Sequence, residues 1–304
     1  MRKTSLNCVY ELAKKNKKVI FIGSDLGQGV LKEMKREFPD RYYMEGVSEQ
    51  NIIGTAAGLA MEGFIPYINT IATFITRRCY EQVALDLCLH NLPVRLIGNG
   101  GGVVYAPLGP THLATDDIAI FRTLPNMIIL SPCDANEMKN LMMQTLEPKS
   151  PIYIRVAKGN DKIITSNIKE FKIGKAIILK DIQETLILST GVASQIALEA
   201  AEKLKSENIP CGVAHFNTIK PLDKNFLKNN LPKVKKVVVL EEHNKMGGFG
   251  SSILEFCSEF LPDDINKIKL VGFPDKFPDK YGSQSELMSY LGLNVDNVCK
   301  IIQK

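Results

Sequence analysis

Short runs of β-branched and apolar residues at 19–22, 64–71, 94–97, 127–130 and 152–156 alternate with stretches near 4–16, 49–62, 75–90, 116–123 and 134–146 whose apolar positions recur at helical spacing. Unbroken apolar runs of this length fit strands buried on both faces, and the intervening periodicity fits amphipathic helices. Strand–helix alternation requires crossover connections, so the pattern predicts a mainly parallel sheet with helices on both faces. A polar segment over 158–172, with Gly159, Asn160, Asp161, Ser166 and Asn167, interrupts it. The alternation then resumes, with strands over 176–179, 185–189, 212–216, 237–240 and 268–272 and helices over 193–206, 249–260, 284–291 and 296–302. The expectation is an α/β chain of two domains, 1–160 and 173–304, joined by a linker at 161–172, each domain a mainly parallel sheet flanked by helices. Asp134, three residues before Glu137, offers a capping box for the helix that begins there.

Composition narrows the function classes. The chain has 304 residues, 45% hydrophobic and 23% charged, which supplies sizeable cores for two domains. Its net charge of +5 comes from scattered lysines with no basic run interleaved with aromatics. That argues against nucleic-acid binding and leaves an anionic small substrate open. Seven cysteines without a C-x-x-C pair make neither a disulfide framework nor a zinc site, and point to buried thiols in a reducing, cytoplasmic setting. No apolar run reaches the roughly 18–20 residues of a membrane span.

The stretch Gly46-Val-Ser-Glu-Gln-Asn-Ile-Ile-Gly-Thr-Ala-Ala-Gly-Leu-Ala-Met-Glu-Gly63 places a carboxylate, Glu49, at the start of a helix of small and apolar residues. Glycine inside a helix costs about 1 kcal/mol relative to alanine, so Gly54 and Gly58 predict a close approach, for which a subunit interface is the candidate. A carboxylate in a dry setting can exchange a proton with a bound ligand near neutral pH; the plain alternative is a first-turn acid that complements the helix dipole. His90, His215 and His243 read as structural. Gly98-Asn-Gly-Gly-Gly102 lacks the spacing of a P-loop and reads as a turn.

The 46–63 stretch, Gly109-Pro-Thr-His112, Asp134-Ala-Asn-Glu137, Thr218-Ile-Lys-Pro-Leu-Asp223, Val239-Leu-Glu-Glu-His-Asn244 and Gly247-Gly-Phe-Gly250 occur in that order. Together they resemble the C-terminal half of a transketolase, a thiamine-diphosphate-binding pyrimidine (Pyr) domain followed by a transketolase C-terminal domain. Related halves occur in deoxyxylulose-phosphate synthase and in the β subunit of 2-oxoacid dehydrogenase E1 components. The resemblance covers essentially the whole chain. It implies that Glu49 hydrogen-bonds N1′ of the cofactor's aminopyrimidine and drives the proton switch that activates the thiazolium ring. It places Phe74 and Tyr80 against the pyrimidine, with Arg77 where full-length transketolases carry a third aromatic, and Asp25 on the cofactor side at the end of the first strand. It gives His112 the substrate oxygens, and Arg155 and Arg2 the sugar phosphate, a pairing that suits guanidinium geometry.

Two positions depart from the full-length pattern. Leu108 replaces an aspartate that reads a substrate hydroxyl, and Gly100 falls near the place of a substrate histidine, so a less hydroxylated ketose enters consideration. The family anchors the cofactor's diphosphate through Mg²⁺ with a Gly-Asp-Gly motif, which these 304 residues lack. No metal ligand is therefore assigned here, and the resemblance implies a separate diphosphate- and Mg²⁺-binding subunit. The implied whole is a split transketolase acting on sugar phosphates, with this chain as its C-terminal-half subunit. It would pair through its Pyr and C-terminal domains into an α2β2 heterotetramer, with no nucleic-acid or membrane partner. Two other readings stand beside it. A 2-oxoacid dehydrogenase E1 β subunit is disfavoured by the Gly-Pro-Thr-His loop and the arginines, and a catalytically silent partner of another thiamine enzyme by Glu49.

Overall fold

In the computed structural model, which describes all residues except Gln28, Lys158 and Asn160, two sheets form. The first seven strands in chain order are β1 (Val19–Gly23), β2 (Tyr42–Met44), β3 (Ile65–Ile71), β4 (Arg95–Asn99), β5 (Ile128–Leu130), β6 (Ile152–Val156) and β7 (Ala176–Lys180). They are followed by β8 (Thr185–Ser189), β9 (Cys211–Phe216), β10 (Thr218–Lys220), β11 (Lys236–Asn244) and β12 (Ile268–Phe273). The α-helices are α1 (Arg2–Lys15), α2 (Lys32–Glu37), α3 (Glu49–Met61), α4 (Tyr80–Gln82), α5 (Asp117–Arg122) and α6 (Ala135–Gln144) in the first part of the chain. The second part adds α7 (Ala193–Ser206), α8 (Lys224–Asn230), α9 (Phe249–Phe260), α10 (Gln284–Tyr290) and α11 (Val295–Gln303).

The first sheet has the order β10-β5-β6-β4-β3-β1-β2 and the second β12-β11-β8-β9-β7. Both are parallel except at one edge, where β10 runs against β5 and β7 against β9. The expected α/β architecture with two mainly parallel sheets is therefore present. One strand crosses the expected partition: β10 lies beyond residue 173 in sequence yet completes the first sheet. The strands β2 and β10 and the helices α2 and α8 are too short to show a periodicity in the sequence. Lys158 and Asn160 of the polar segment lie outside the described residues. Thr165, further along it, is buried and bonds Asp134 through its backbone and its hydroxyl.

Helices cover both faces of the first sheet. On one face α1 and α6 bury Leu6, Val9, Leu12, Met138 and Met142. On the other, α3 buries Ile52, Ile53, Ala56, Ala57 and Ala60 against the sheet. Burying one isoleucine stabilises by roughly 1.5–3 kcal/mol, enough for this face to offset two helical glycines. The face of α3 that carries Gly54, Gly58 and Met61 is exposed, and a Cβ at either glycine would meet nothing within 4 Å. Within this chain Gly54 and Gly58 are not packed against anything, whereas the alanines of the opposite face are buried.

Residues 74–89 follow β3 as one α-helical turn, α4, between two widened π-type segments. Ile75, Cys79, Val83 and Leu87 are all fully buried here. Their four-residue spacing exceeds the 3.6 of an α-turn, and the wider turns keep them on one face. In the second domain Ala197, Ala200 and Ala201 let α7 lie close to the β8–β9 surface. All seven cysteines are buried and unpaired. Among the described residues no helix is long and apolar enough to cross a membrane.

Candidate active site

The carboxyl ends of β1, β3 and β4 open on one side of the first sheet, where parallel α/β sheets hold ligands. Gly23-Ser-Asp leaves β1 with Ser24 buried and Asp25 exposed. The Ser24 hydroxyl lies 2.9 Å from an Asp25 carboxylate oxygen and 2.9 Å from Thr70 Oγ1. Thr70 Oγ1 lies 3.5 Å from Glu49 Oε1, so a row of hydroxyls joins the two carboxylates.

Glu49 opens α3, and the helix carries its side chain inward until 3% remains exposed. Arg78 Nη1 donates to Glu49 Oε2 at 2.8 Å, and its guanidinium stands 4.2 Å from the centroid of the Phe74 ring. The Phe74 ring in turn meets the His112 imidazole edge-on, with centroids 5.2 Å apart and planes at 61°. Glu49, Arg78, Phe74 and His112 therefore form one cluster drawn from α3, the turns after β3 and the Pro110–His112 loop. Burial, with Glu49 adding to it, pushes the neighbouring Cys79 thiol up to about 12, so it stays protonated. His112 is half-buried, and its Nδ1 lies 2.9 Å from the Thr111 hydroxyl. Tyr80 stands apart: it is 39% exposed, and its hydroxyl bonds Thr123 rather than any member of the cluster. Arg77, also outside it, pairs with Asp116 at 2.8 Å.

The two arginines expected at a phosphate lie in unlike places. Arg2 is half-buried in the first turn of α1 and borders a cavity of about 180 Å³ together with Asn99, Gly100, Tyr105 and Leu108. Arg155 is buried at 6% exposure. Its Nε donates to Asp117 at 2.8 Å and its Nη2 to Asp117 at 3.2 Å, to Ala114 O at 3.2 Å and to Glu242 O at 2.9 Å. Its Nε and Nη2 are thus engaged within the chain, tying the first domain to the backbone of β11. Burial opposes both charges, yet each charge holds the other: Asp117 is driven below its usual range and Arg155 above its own. Tyr153 completes the junction by donating to Asp117 at 2.7 Å.

The histidines of the second domain are enclosed. His243 accepts from Ala119 N at 3.3 Å and bonds Asn244 O at 2.6 Å. His215 bridges Glu137 Oε2 at 2.8 Å and the Ser194 hydroxyl at 2.7 Å. Cys133, Glu137 and His215 form a buried group of metal-ligand types among the described residues, but both imidazole nitrogens of His215 already have these partners. Asp134 caps α6 by accepting from Glu137 N at 2.9 Å, whereas the Glu137 carboxylate turns to Cys133 N and His215 instead of closing the box. His90 is exposed.

Sequence reasoning missed Arg78, Thr70 and Tyr105. Arg78 stands four residues beyond Phe74, a spacing that brings side chains to one face of a helix, and that was the available signal. Thr70 is a lone hydroxyl in an apolar strand. Tyr105 follows a glycine run and carries no motif.

The pattern of the transketolase pyrimidine binding domain matches residues 1–162, and that of the transketolase C-terminal domain matches residues 174–298. The chain is 36% identical over 272 residues to the 1-deoxy-D-xylulose-5-phosphate synthase of Halothermothrix orenii, a match covering 88% of this chain and 42% of that protein. It thus spans less than half the length of that relative. It is 31% identical over 301 residues to a subunit of the apulose-4-phosphate transketolase of Phocaeicola vulgatus, covering 98% of this chain and 95% of that one. A solved structure described as a split gene transketolase, inactive beta4 tetramer, is similar with a TM-score of 0.90 at 30% identity, over 99% of this chain and 96% of that chain.

Proposed function

This chain belongs to the transketolase family, and on that premise we propose that it is the pyrimidine-side subunit of a split, thiamine-diphosphate-dependent transketolase. It would transfer a two-carbon ketol unit between phosphorylated sugars in the cytoplasm, together with a separate diphosphate- and Mg²⁺-binding subunit. The observation that carries this reading is the Glu49 carboxylate, 3% exposed at the start of α3 beside the Phe74 ring.

The donor set suits half of the cofactor. An aminopyrimidine needs a sheltered carboxylate for its ring nitrogen and a flat apolar surface, which Glu49 and Phe74 offer. Magnesium takes about six oxygens in near-octahedral geometry, whereas this cluster holds one carboxylate, already engaged by Arg78. The metal ligands are accordingly assigned to the partner subunit. When bound, thiamine diphosphate supplies a nucleophilic thiazolium carbon.

In this reading Glu49 shares a proton with N1′ of the aminopyrimidine, and Arg78 holds the carboxylate in place until the ligand arrives. Phe74 supports the pyrimidine face, with Tyr80 as an outer aromatic. Asp25, tied to Glu49 through Ser24 and Thr70, keeps the cofactor side polar. His112 meets substrate oxygens, and Arg2 takes the phosphate. Arg155 is a strut between domains. The exposed α3 face, with Met61, and the exposed Val47, Leu85 and Leu89 support pairing with a second copy in an α2β2 assembly.

The test is ketol transfer by the complex reconstituted with a diphosphate-binding partner. Positioned proton transfer contributes about 10²–10⁴-fold, so Glu49→Gln lowers the rate at least 100-fold while the mass of the complex is unchanged. Release of CO₂ from a 2-oxo acid without ketol transfer would overturn the reading in favour of a 2-oxoacid dehydrogenase subunit.

A further inference from the structure

Gly109 joins two single 3₁₀ turns, Ala106–Leu108 and Pro110–His112. Its N–H donates to Ala106 O at 3.1 Å and its carbonyl accepts from His112 N at 3.0 Å, so the backbone of His112 is tied directly to this residue. With φ at +76°, Gly109 has the left-handed backbone that glycine tolerates and other side chains disfavour. A second restriction comes from the other domain. A Cβ at Gly109 would lie 2.6 Å from Cε1 of Tyr281, whose ring covers the glycine.

Tyr281 belongs to the connection from β12 to α10 and is 70% exposed. A side chain so exposed gains little from burial, so core packing does not explain its seat on Gly109. The connection is instead held in shape around Tyr290 of α10. Asp279 accepts from the Tyr290 hydroxyl at 2.7 Å and Lys276 donates to it at 3.2 Å. The Lys276 and Lys280 ammonium groups each stand 4.4 Å from the centroid of the same ring. A capping box between Ser283 and Glu286 then fixes the start of α10. Its first residue, Gln284, donates to Glu242 Oε1, which also accepts from Val103 N. The second domain thus holds the loop that carries His112 at two points, Val103 and Gly109.

We infer that Tyr281 is a positioning residue for His112, through which the second domain sets where the imidazole meets the substrate. The inference rests on the ketol-transfer reading above, in which His112 meets substrate oxygens. His112 stands on a loop of single turns, and its aromatic neighbour in the first domain is the Phe74 ring, with centroids 5.2 Å apart. The Tyr281 ring covers the pivot of that loop and leaves Gly109 no room to move toward the second domain. A misplacement of about 1 Å at a substrate contact can cost roughly 100-fold in rate. A remote residue with this hold on the loop therefore has a kinetic signature.

The experiment compares Tyr281→Ala with the wild type in two measurements. In the isotope-labelled full chain, nuclear Overhauser cross-peaks between the His112 imidazole and the Phe74 ring report their separation. The chain has four histidines, and His112→Ala identifies the signal. The cross-peaks are expected to weaken in Tyr281→Ala and to return in Tyr281→Phe, which keeps the ring on Gly109. In the complex reconstituted with a diphosphate-binding partner, Tyr281→Ala should lower kcat/KM for ketol transfer about tenfold or more. Tyr281→Phe should restore it, which separates the positioning role from a folding defect. In a His112→Ala background Tyr281→Ala should change kcat/KM by less than about twofold, because the two residues act as one unit. Unchanged cross-peaks, an unchanged kcat/KM, or a full loss in the His112→Ala background each overturn the inference. Absence of transfer by the wild-type complex overturns the ketol-transfer reading instead, and the cross-peaks still judge whether Tyr281 holds His112.

Discussion

Two arginine–carboxylate pairs with the same 2.8 Å separation have opposite surroundings. Glu49 and Arg78 meet where the guanidinium is 45% exposed, whereas Asp117 and Arg155 meet with 0% and 6% exposed. In the second pair nearly every polar atom is satisfied by the protein itself, through Tyr153, Ala114 and the backbone of Glu242. In the first, Arg78 has one partner and an aromatic face, and the cluster remains open to solvent. Distance alone therefore does not distinguish a strut from a site. Completeness does: a group whose bonds are closed within the chain holds the fold, and a group left half-partnered is free to meet a ligand.

The sharpest way to break that contrast is to remove the cation from each pair. Arg155→Met leaves Asp117 buried with an uncompensated charge, and losing one partner of a buried pair typically costs about 3–5 kcal/mol. Arg78→Gln removes a cation that is itself 45% exposed, so its attraction for Glu49 is screened by solvent and the loss should be smaller, about 1 kcal/mol. Urea unfolding of the isolated chain measures both. Equal losses would make Arg78 a part of the packed framework.

Glu242 sharpens the comparison from the second domain. Its Oε1 accepts from Val103 N at 2.9 Å and from Gln284 at 2.9 Å, which ties the loop leading to His112 onto β11. Gly102, with φ at +70°, gives the carboxylate its space, because a Cβ there would collide with it. Burial pushes Glu242 up to about 7 from an ordinary 4.5, despite the nearby Arg155. Between those values the native state binds a proton that the unfolded chain has released, so stability is full below about 4.5 and is lost as pH rises through about 7. At 1.36 kcal/mol per unit this loss is ~3 kcal/mol. Glu242→Gln removes it, so the variant should gain on the wild type by that amount between pH 4.5 and 8 in denaturant titrations. A pH-independent difference would show that Glu242 is already ionised in the fold.

These contrasts mark where the sequence is readable. Strand–helix alternation reports local periodicity, and it locates the principal strands of both sheets. The 46–63 motif locates Glu49 because the acid, the turn and the small-residue helix are contiguous. The surroundings of Arg155 are not legible, because Ile-Tyr-Ile-Arg-Val looks the same whether its guanidinium faces a ligand or another domain. Its partners Asp117 and Glu242 lie 38 and 87 residues away, and no local pattern records such pairings. The placement of β10 in the first sheet is hidden for the same reason, since three residues carry no information about a strand some 90 positions earlier. The 74–89 segment reads as an ordinary helix because its four-residue apolar spacing lies close to the α period.

Gly54 and Gly58 give the smallest effect and the clearest division between fold and assembly. Both are exposed, and added methyl groups would meet nothing in this chain. Alanine in a helix interior is better than glycine by about 0.5–1 kcal/mol, so Gly54→Ala and Gly58→Ala should each raise the stability of the dissociated chain by that amount. If a second copy packs closely on this face, the same methyl groups hold the helices apart. Sedimentation at increasing protein concentration should then show association weakened in the double variant even as thermal unfolding of the dilute chain moves upward. Stabilisation with undiminished association would place the contact elsewhere, and the two glycines would have no packing role in the assembly.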